Sequence, residues 1–210
     1  MEILKRAQER KETALTILNE LALLEKWNKI GQAYVVGATA YDLLVDQDID
    51  IETFSVSPNP AEAMTILSDL TNHPKVLELK YRNYFETAYH GYYFKIQYQH
   101  TPSDIWNIDM WLFSETRNGP LSRDLVSLMN DSLTIDRRKC ILKIKEDLLQ
   151  KTLILPSIYV YQAVLDHNIR DTETFLQWKE QQDINNQTNW RPSKKLRENN
   201  YFYKFLKMLL

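Results

Sequence analysis

Two short acidic stretches carry the chemistry this chain could do: Val45-Asp46-Gln47-Asp48-Ile49-Asp50-Ile51-Glu52 and, well downstream, Trp106-Asn107-Ile108-Asp109-Met110-Trp111-Leu112-Phe113. Residues two apart on a β-strand share a face, so Asp48 and Asp50 point together while Ile49 and Ile51 turn inward. If the second stretch is a neighbouring strand, the Asp109 carboxylate comes within about 5 Å of that pair. Three carboxylates so close repel one another unless cations lie between them. An oxygen-only donor set suits Mg²⁺, and two such ions about 3.5 to 4 Å apart serve in-line displacement at phosphorus. Glu52 falls on the same face two residues past Asp50 and reads as solvated surface. Asp46 reads as a loop acid, Asp42 as a helix-surface acid and Asp104 as turn chemistry.

Upstream, Ala33-Tyr34-Val35-Val36-Gly37-Ala38-Thr39-Ala40-Tyr41-Asp42-Leu43-Leu44 reads as a buried strand, a glycine turn and a helix. The chain has only four glycines, so one at a strand-to-helix junction has a steric reason to be there. Gly37 lets backbone approach a ligand closely, and the N–H groups that follow it can face an anion. Phosphates and metal ions would then share one cleft.

The glycine turn, the acidic pair spaced by one and the third acid on a later strand together resemble the polymerase-beta-like nucleotidyltransferase superfamily, over roughly residues 31 to 115. The resemblance implies that Asp48 and Asp50 hold both metal ions, and that Asp109 completes one metal site and helps deprotonate the attacking hydroxyl. It implies that Gly37, Ala38 and Thr39 hold the β and γ phosphates. One position departs from the family pattern: serine usually follows the glycine, and here Ala38 does. Thr39 or backbone N–H groups would then supply the missing donor. The implied reaction is metal-dependent transfer of a nucleoside monophosphate from a nucleoside triphosphate, ATP first among them, to an acceptor hydroxyl, with release of pyrophosphate. The implied cofactor is a pair of Mg²⁺ ions. A small molecule, aminoglycoside-like or lincosamide-like, is the expected acceptor, with RNA or protein left open. The alternative is a catalytically silent relative that binds a nucleotide, RNA or a partner protein.

These residues need a sheet to position them, and the pattern supplies one. Ala14, Ile17, Leu18, Leu21 and Leu24 mark a helix over residues 2–29 that covers a sheet. Asn59-Pro60-Ala61-Glu62 starts a second helix, with Asn59 as cap. Leu77, Leu79 and Tyr81 alternate with charged residues, as do Phe94, Ile96 and Tyr98, and Tyr89-His90-Gly91-Tyr92 turns between them. The fold class is therefore α/β (α+β), a mixed sheet of four or five strands with flanking helices. After Gly119-Pro120 only helices are expected, near 121–131, 134–150, 157–167 and 171–179, with Thr134 and Asp171 as caps. The expected division is a nucleotidyltransferase domain at 1–118 and a helical domain at 119–210.

Composition narrows the class further. The 210 residues carry a formal net charge of −2, which argues against broad electrostatic binding of nucleic acid. Cys140 is the only cysteine and reads as a packed thiol, so no internal disulfide is expected. No apolar run reaches the length of a membrane span and no secretory signal is visible, so the expected location is cytoplasmic. Arg137, Arg138, Lys139, Lys143 and Lys145 cluster on one helix, where one of them could neutralise a triphosphate; the favoured reading of the group is a solvated face. The stretch Arg191 to Lys207 is basic and aromatic, which suits either a docked terminal helix or a grip on single-stranded nucleic acid.

Overall fold

The computed structural model describes residues 2–184 and 187–193. Both acidic stretches become strands, and the two strands are neighbours. Five strands, β1 (Gln32–Val36), β2 (Asp48–Ser55), β3 (Val76–Tyr84), β4 (Gly91–Thr101) and β5 (Asp104–Ser114), form one sheet in the order β1-β2-β5-β4-β3. The β2–β5 pair is parallel and the other three pairs are antiparallel, so the sheet is mixed, as the sequence predicts.

Alternation along the strands decides what each face does. Ile49, Ile51, Ile108, Met110, Phe94 and Ile96 all point to one side and are fully buried. Helices α1 (Glu2–Glu20) and α2 (Leu23–Trp27) cover them. A third helix, α3 (Gly37–Tyr41), follows β1, and α4 (Pro60–Ser68) completes the cover with Ala63 and Leu67. Burying each large apolar side chain contributes about 1.5–3 kcal/mol. A one-residue slip of β2 would expose its isoleucines and bury its aspartates, so core packing pins the carboxylates to the open face.

A second apolar cluster joins α5 (Arg123–Ser132), α6 (Ile135–Gln150), α7 (Ser157–Asp166) and α8 (Thr172–Lys179). Tyr41 at the end of α3, and Leu43 and Val45 from the connection between α3 and β2, enter this cluster. Helix α1 serves both clusters, with Ala7 in the helical one and Ala14, Ile17 and Leu18 under the sheet. The helix starts follow their caps: Asn59 accepts from the N–H of Ala61 at 3.0 Å, Thr134 from Arg137 at 3.3 Å and Asp171 from Thr174 at 2.9 Å. Cys140 is buried, as expected.

Several expectations need correction. The single helix over 2–29 is broken at Ala22, which adopts a left-handed conformation with φ 47°. Strand β2 begins at Asp48 rather than Val45, because Leu43, Leu44 and Val45 are drawn into the cores. Asp42 is no free surface acid: it ends α3 in the left-handed region with φ 56°, pairs with Lys11, and meets Arg138 at 3.1 Å. Tail positions from Lys194 to Lys207 lie outside the described residues.

Glu52 differs most from expectation. It is only 6% exposed, and its two carboxylate oxygens accept the N–H groups of Ser122 and Arg123, each at 2.9 Å. Those are donors that the first turn of α5 cannot satisfy internally. Glu52→Ala strands both, at a cost of about 1–3 kcal/mol. A melting temperature lower by about 2 °C or more is the expected result, measured by calorimetry; an unchanged value would show that water replaces the carboxylate at no cost.

Candidate active site

Register brings the three predicted aspartates together. Asp50 on β2 stands directly opposite Asp109 on the parallel strand β5, and Asp48 lies two residues earlier on the same face. One ligating oxygen from each of Asp48, Asp50 and Asp109 lies within 4.8 Å of the others. On the far side of Asp109, Lys95 of β4 occupies the paired position. The Tyr93 hydroxyl donates to Asp109 Oδ1 at 2.6 Å, which fixes that carboxylate and leaves Oδ2 free of this bond.

The electrostatics describe a site short of positive charge. Burial, then Asp109 and Asp46, push the Asp48 carboxyl up to about 7. Asp50 is raised well above the ordinary carboxylate range, by burial first and then by Asp48 and Asp109. Carboxylates that hold protons this tightly are those that a divalent cation would relieve. The donor set is all oxygen, clustered and unneutralised, so these residues fit Mg²⁺.

One buried cation does face them. Lys145 is 6% exposed and its ammonium donates to the Leu43 carbonyl at 3.0 Å. Burial lowers its pKa, while Asp46, Asp50 and Asp48 pull the other way. The expectation of a solvated face for this residue is therefore wrong. Helical spacing held the signal: Lys145 lies four residues after Ile141 and three before Leu148, on the buried stripe of α6.

A cavity of about 180 Å³ opens between the sheet and the helical cluster, lined by Gly37, Ala38, Asp46, Asp48, Asp50 and Lys145, with Ser157 and Tyr161 of α7 opposite. Asp46, expected to stay out of the site, reaches this cavity from the loop before β2. Thr39 does not line it: the side chain is 1% exposed and its hydroxyl sits 3.5 Å from the Asp48 carbonyl. Gly37 has φ +62°, and a Cβ there would lie 2.1 Å from Asp50 Oδ2. The close neighbour that requires a glycine is thus one of the site's own carboxylates.

The pKa shifts give a pH dependence with a definite sign. Folded Asp48 and Asp50 hold protons more tightly than the unfolded chain does, so the ion-free protein takes up protons on folding above the ordinary value of 3.8, through about 7 for Asp48. Its stability is greatest below that window and falls as pH rises through it. Magnesium held by these carboxylates would bind their ionised form and reverse the trend, so its stabilisation should be larger near about pH 8 than near about pH 5. Thermal melts with and without MgCl₂ at both pH values test this; equal shifts would mean that these carboxylates do not hold the ion.

No protein-family model and no curated protein matches the chain. Solved structures do. Cid1 poly(U) polymerase, as an H336N mutant bound to MgATP, aligns with a TM-score of 0.57 at 16% identity over 80% of this chain and 56% of that one. A cytoplasmic RNA terminal U-transferase aligns with a TM-score of 0.54 at 16% identity over 79% and 51%. Cid1 in complex with its short product ApU gives 0.52 at 14% over 78% and 53%. The chain spans about half the length of these structures. At such identities the likeness establishes the fold alone, the one these polymerase and transferase structures have.

Proposed function

We propose that the chain transfers a nucleoside monophosphate from a nucleoside triphosphate to an acceptor hydroxyl. The observation that carries this reading is the convergence of Asp48, Asp50 and Asp109 beside a cavity that also holds Lys145 and Gly37. The three aspartates would hold two Mg²⁺ ions, which when bound polarise the phosphates, lower the acceptor hydroxyl's pKa and neutralise charge on the leaving oxygen. The triphosphate occupies the cavity between the sheet and α6–α7, where the Gly37–Ala38 backbone and the Lys145 ammonium meet its oxygens. The acceptor oxygen forms a bond to the α-phosphorus, the bond from that phosphorus to the bridging oxygen breaks, and pyrophosphate leaves with the electron pair. Asp109 Oδ2 takes the hydroxyl proton, its Oδ1 being engaged by Tyr93. The Gly37–Ala38 backbone and Lys145 thereby bind and orient, and one carboxylate moves a proton.

Ala38 supports a second reading, a protein that binds the triphosphate without transferring it, since the serine hydroxyl common at this position is missing and that of Thr39 faces the Asp48 carbonyl. A lost charge-assisted hydrogen bond of that kind amounts to about 1.5–3 kcal/mol. The two readings separate in one assay. Pure protein is incubated with each of the four nucleoside triphosphates, ATP first, with MgCl₂ and pools of hydroxyl acceptors, and pyrophosphate is followed. Transfer predicts release that chelation stops. Tight triphosphate binding with no release in any pool supports the silent protein.

A further inference from the structure

Beyond Asp109 the open face of the sheet continues across β4 and β3, and its character changes. The Tyr93 ring lies 5.2 Å from that of Trp111, Tyr84 lies 5.7 Å from Trp111, and Tyr89 stacks on Trp111 at 5.3 Å with only 20° between the planes. These rings and two cations, Lys80 and Arg82, line a cavity of about 330 Å³. Tyr89 remains 44% exposed. The cavity is joined to the triad through Tyr93, whose ring lines it and whose hydroxyl holds Asp109. Lys95, opposite Asp109, and Lys80, opposite Lys95, extend the positive edge toward the acids. Arg82 donates to the Tyr84 hydroxyl at 3.3 Å, and the one acid on β3 is Glu78.

We infer that this wall binds the 3′-terminal nucleotides of a single-stranded nucleic acid, so that the strand's terminal hydroxyl is the acceptor; the inference rests on the transferase reading above. Two observations select that occupant. Aromatic rings that remain exposed, as Tyr89 does, stack unpaired bases of any sequence, and cations beside them take the phosphates between bases. The same cations repel an aminoglycoside-like acceptor, which is itself polycationic, so the small molecule that the sequence favours fits this surface poorly. The placement also matches the chemistry: the triphosphate cavity lies on the Asp48 and Asp50 side, and the wall on the Asp109 side.

The test is fluorescence anisotropy of a 5′-labelled single-stranded RNA 12-mer of mixed sequence with the full chain, without magnesium or triphosphate. Wild type binds, and the affinity falls with salt. Lys80→Gln with Arg82→Gln is expected to weaken binding about tenfold and to flatten the salt dependence by about 0.7 in log–log slope per lost phosphate contact. Tyr89→Ser, at an exposed ring, is expected to weaken it about fivefold or more by loss of stacking. The basic stretch after Ser193 is present in every variant, so any binding it adds cancels from the comparison. Equal affinity of wild type and both variants overturns the inference. So does equal binding of a blunt duplex of the same 12-mer, or displacement of the 12-mer by AMP at concentrations that match the strand's own affinity. Strand binding without pyrophosphate release in any pool overturns the transferase reading and leaves the strand site standing; release without strand binding does the reverse.

Discussion

Asp109→Asn is expected to cut pyrophosphate release by about a thousandfold, since a lost metal ligand removes several kcal/mol of transition-state stabilisation and each 1.36 kcal/mol is a factor of ten. The substitution is chosen because it keeps shape. An asparagine carbonyl can still accept from the Tyr93 hydroxyl, which reaches Asp109 Oδ1 at 2.6 Å. What it removes is one negative charge from a group whose members raise one another: Asp109 is among the causes of the upward shifts at both Asp48 and Asp50. In the absence of magnesium the folded state should therefore be as stable as wild type or more so, most clearly above about pH 7 where the wild-type repulsion is largest. Loss of catalysis together with a constant or higher melting temperature is the signature of a charge kept for function. Activity equal to wild type would remove Asp109 from the chemistry, and with it the reaction proposed. A fall in activity and melting temperature together would assign the residue to the fold instead.

Sequence alternation was enough to place the sheet and the carboxylate face, because both depend on the two-residue period that core burial enforces. Ile49 and Ile51 had to go inward, so Asp48 and Asp50 had to go outward. The helix starts at Pro60, Ile135 and Thr172 were legible for a related reason: Asn59, Thr134 and Asp171 act within three residues of themselves. What stayed illegible was chiefly non-local. Glu52 has the parity of a site residue, yet its partners are backbone donors seventy and seventy-one positions later, a pairing no local pattern encodes. Ala22 breaks the first helix with neither glycine nor proline nearby, where the chain turns so that Trp27 can reach the sheet. Lys145 is a different case. Its spacing from Ile141 and Leu148 marked it as buried, but its charge led to the opposite reading. A charged residue on an apolar stripe is better taken as a sign that something of opposite charge waits inside, and here Asp46, Asp48 and Asp50 do.

Gly37→Ala is expected to lower the rate about a hundredfold, because a displacement of about 1 Å at a reacting group has consequences of that size. Two separate penalties meet at this position. The backbone has φ +62°, which side-chain-bearing residues adopt at a cost of about 1–2 kcal/mol. The added Cβ would also sit 2.1 Å from Asp50 Oδ2 and 3.0 Å from its Cγ, so the carboxylate has to move. Asp50 has little freedom to do so. Its strand is fixed by Val36 on one side and Asp109 on the other, and Ile49 and Ile51 are locked in the core beneath it. The methyl group therefore either rotates Asp50 away from Asp48 and Asp109 or lifts the glycine turn off β2, and both open the triad. A double-mutant cycle separates this steric route from simple backbone strain. With Asp50→Ala as background the contact disappears and only the cost of the positive φ remains, so Gly37→Ala should destabilise the protein less there than in wild type, by about 1 kcal/mol or more. Equal destabilisation in both backgrounds would mean that the glycine is kept for its backbone conformation alone, and that the Asp50 carboxylate has room to spare.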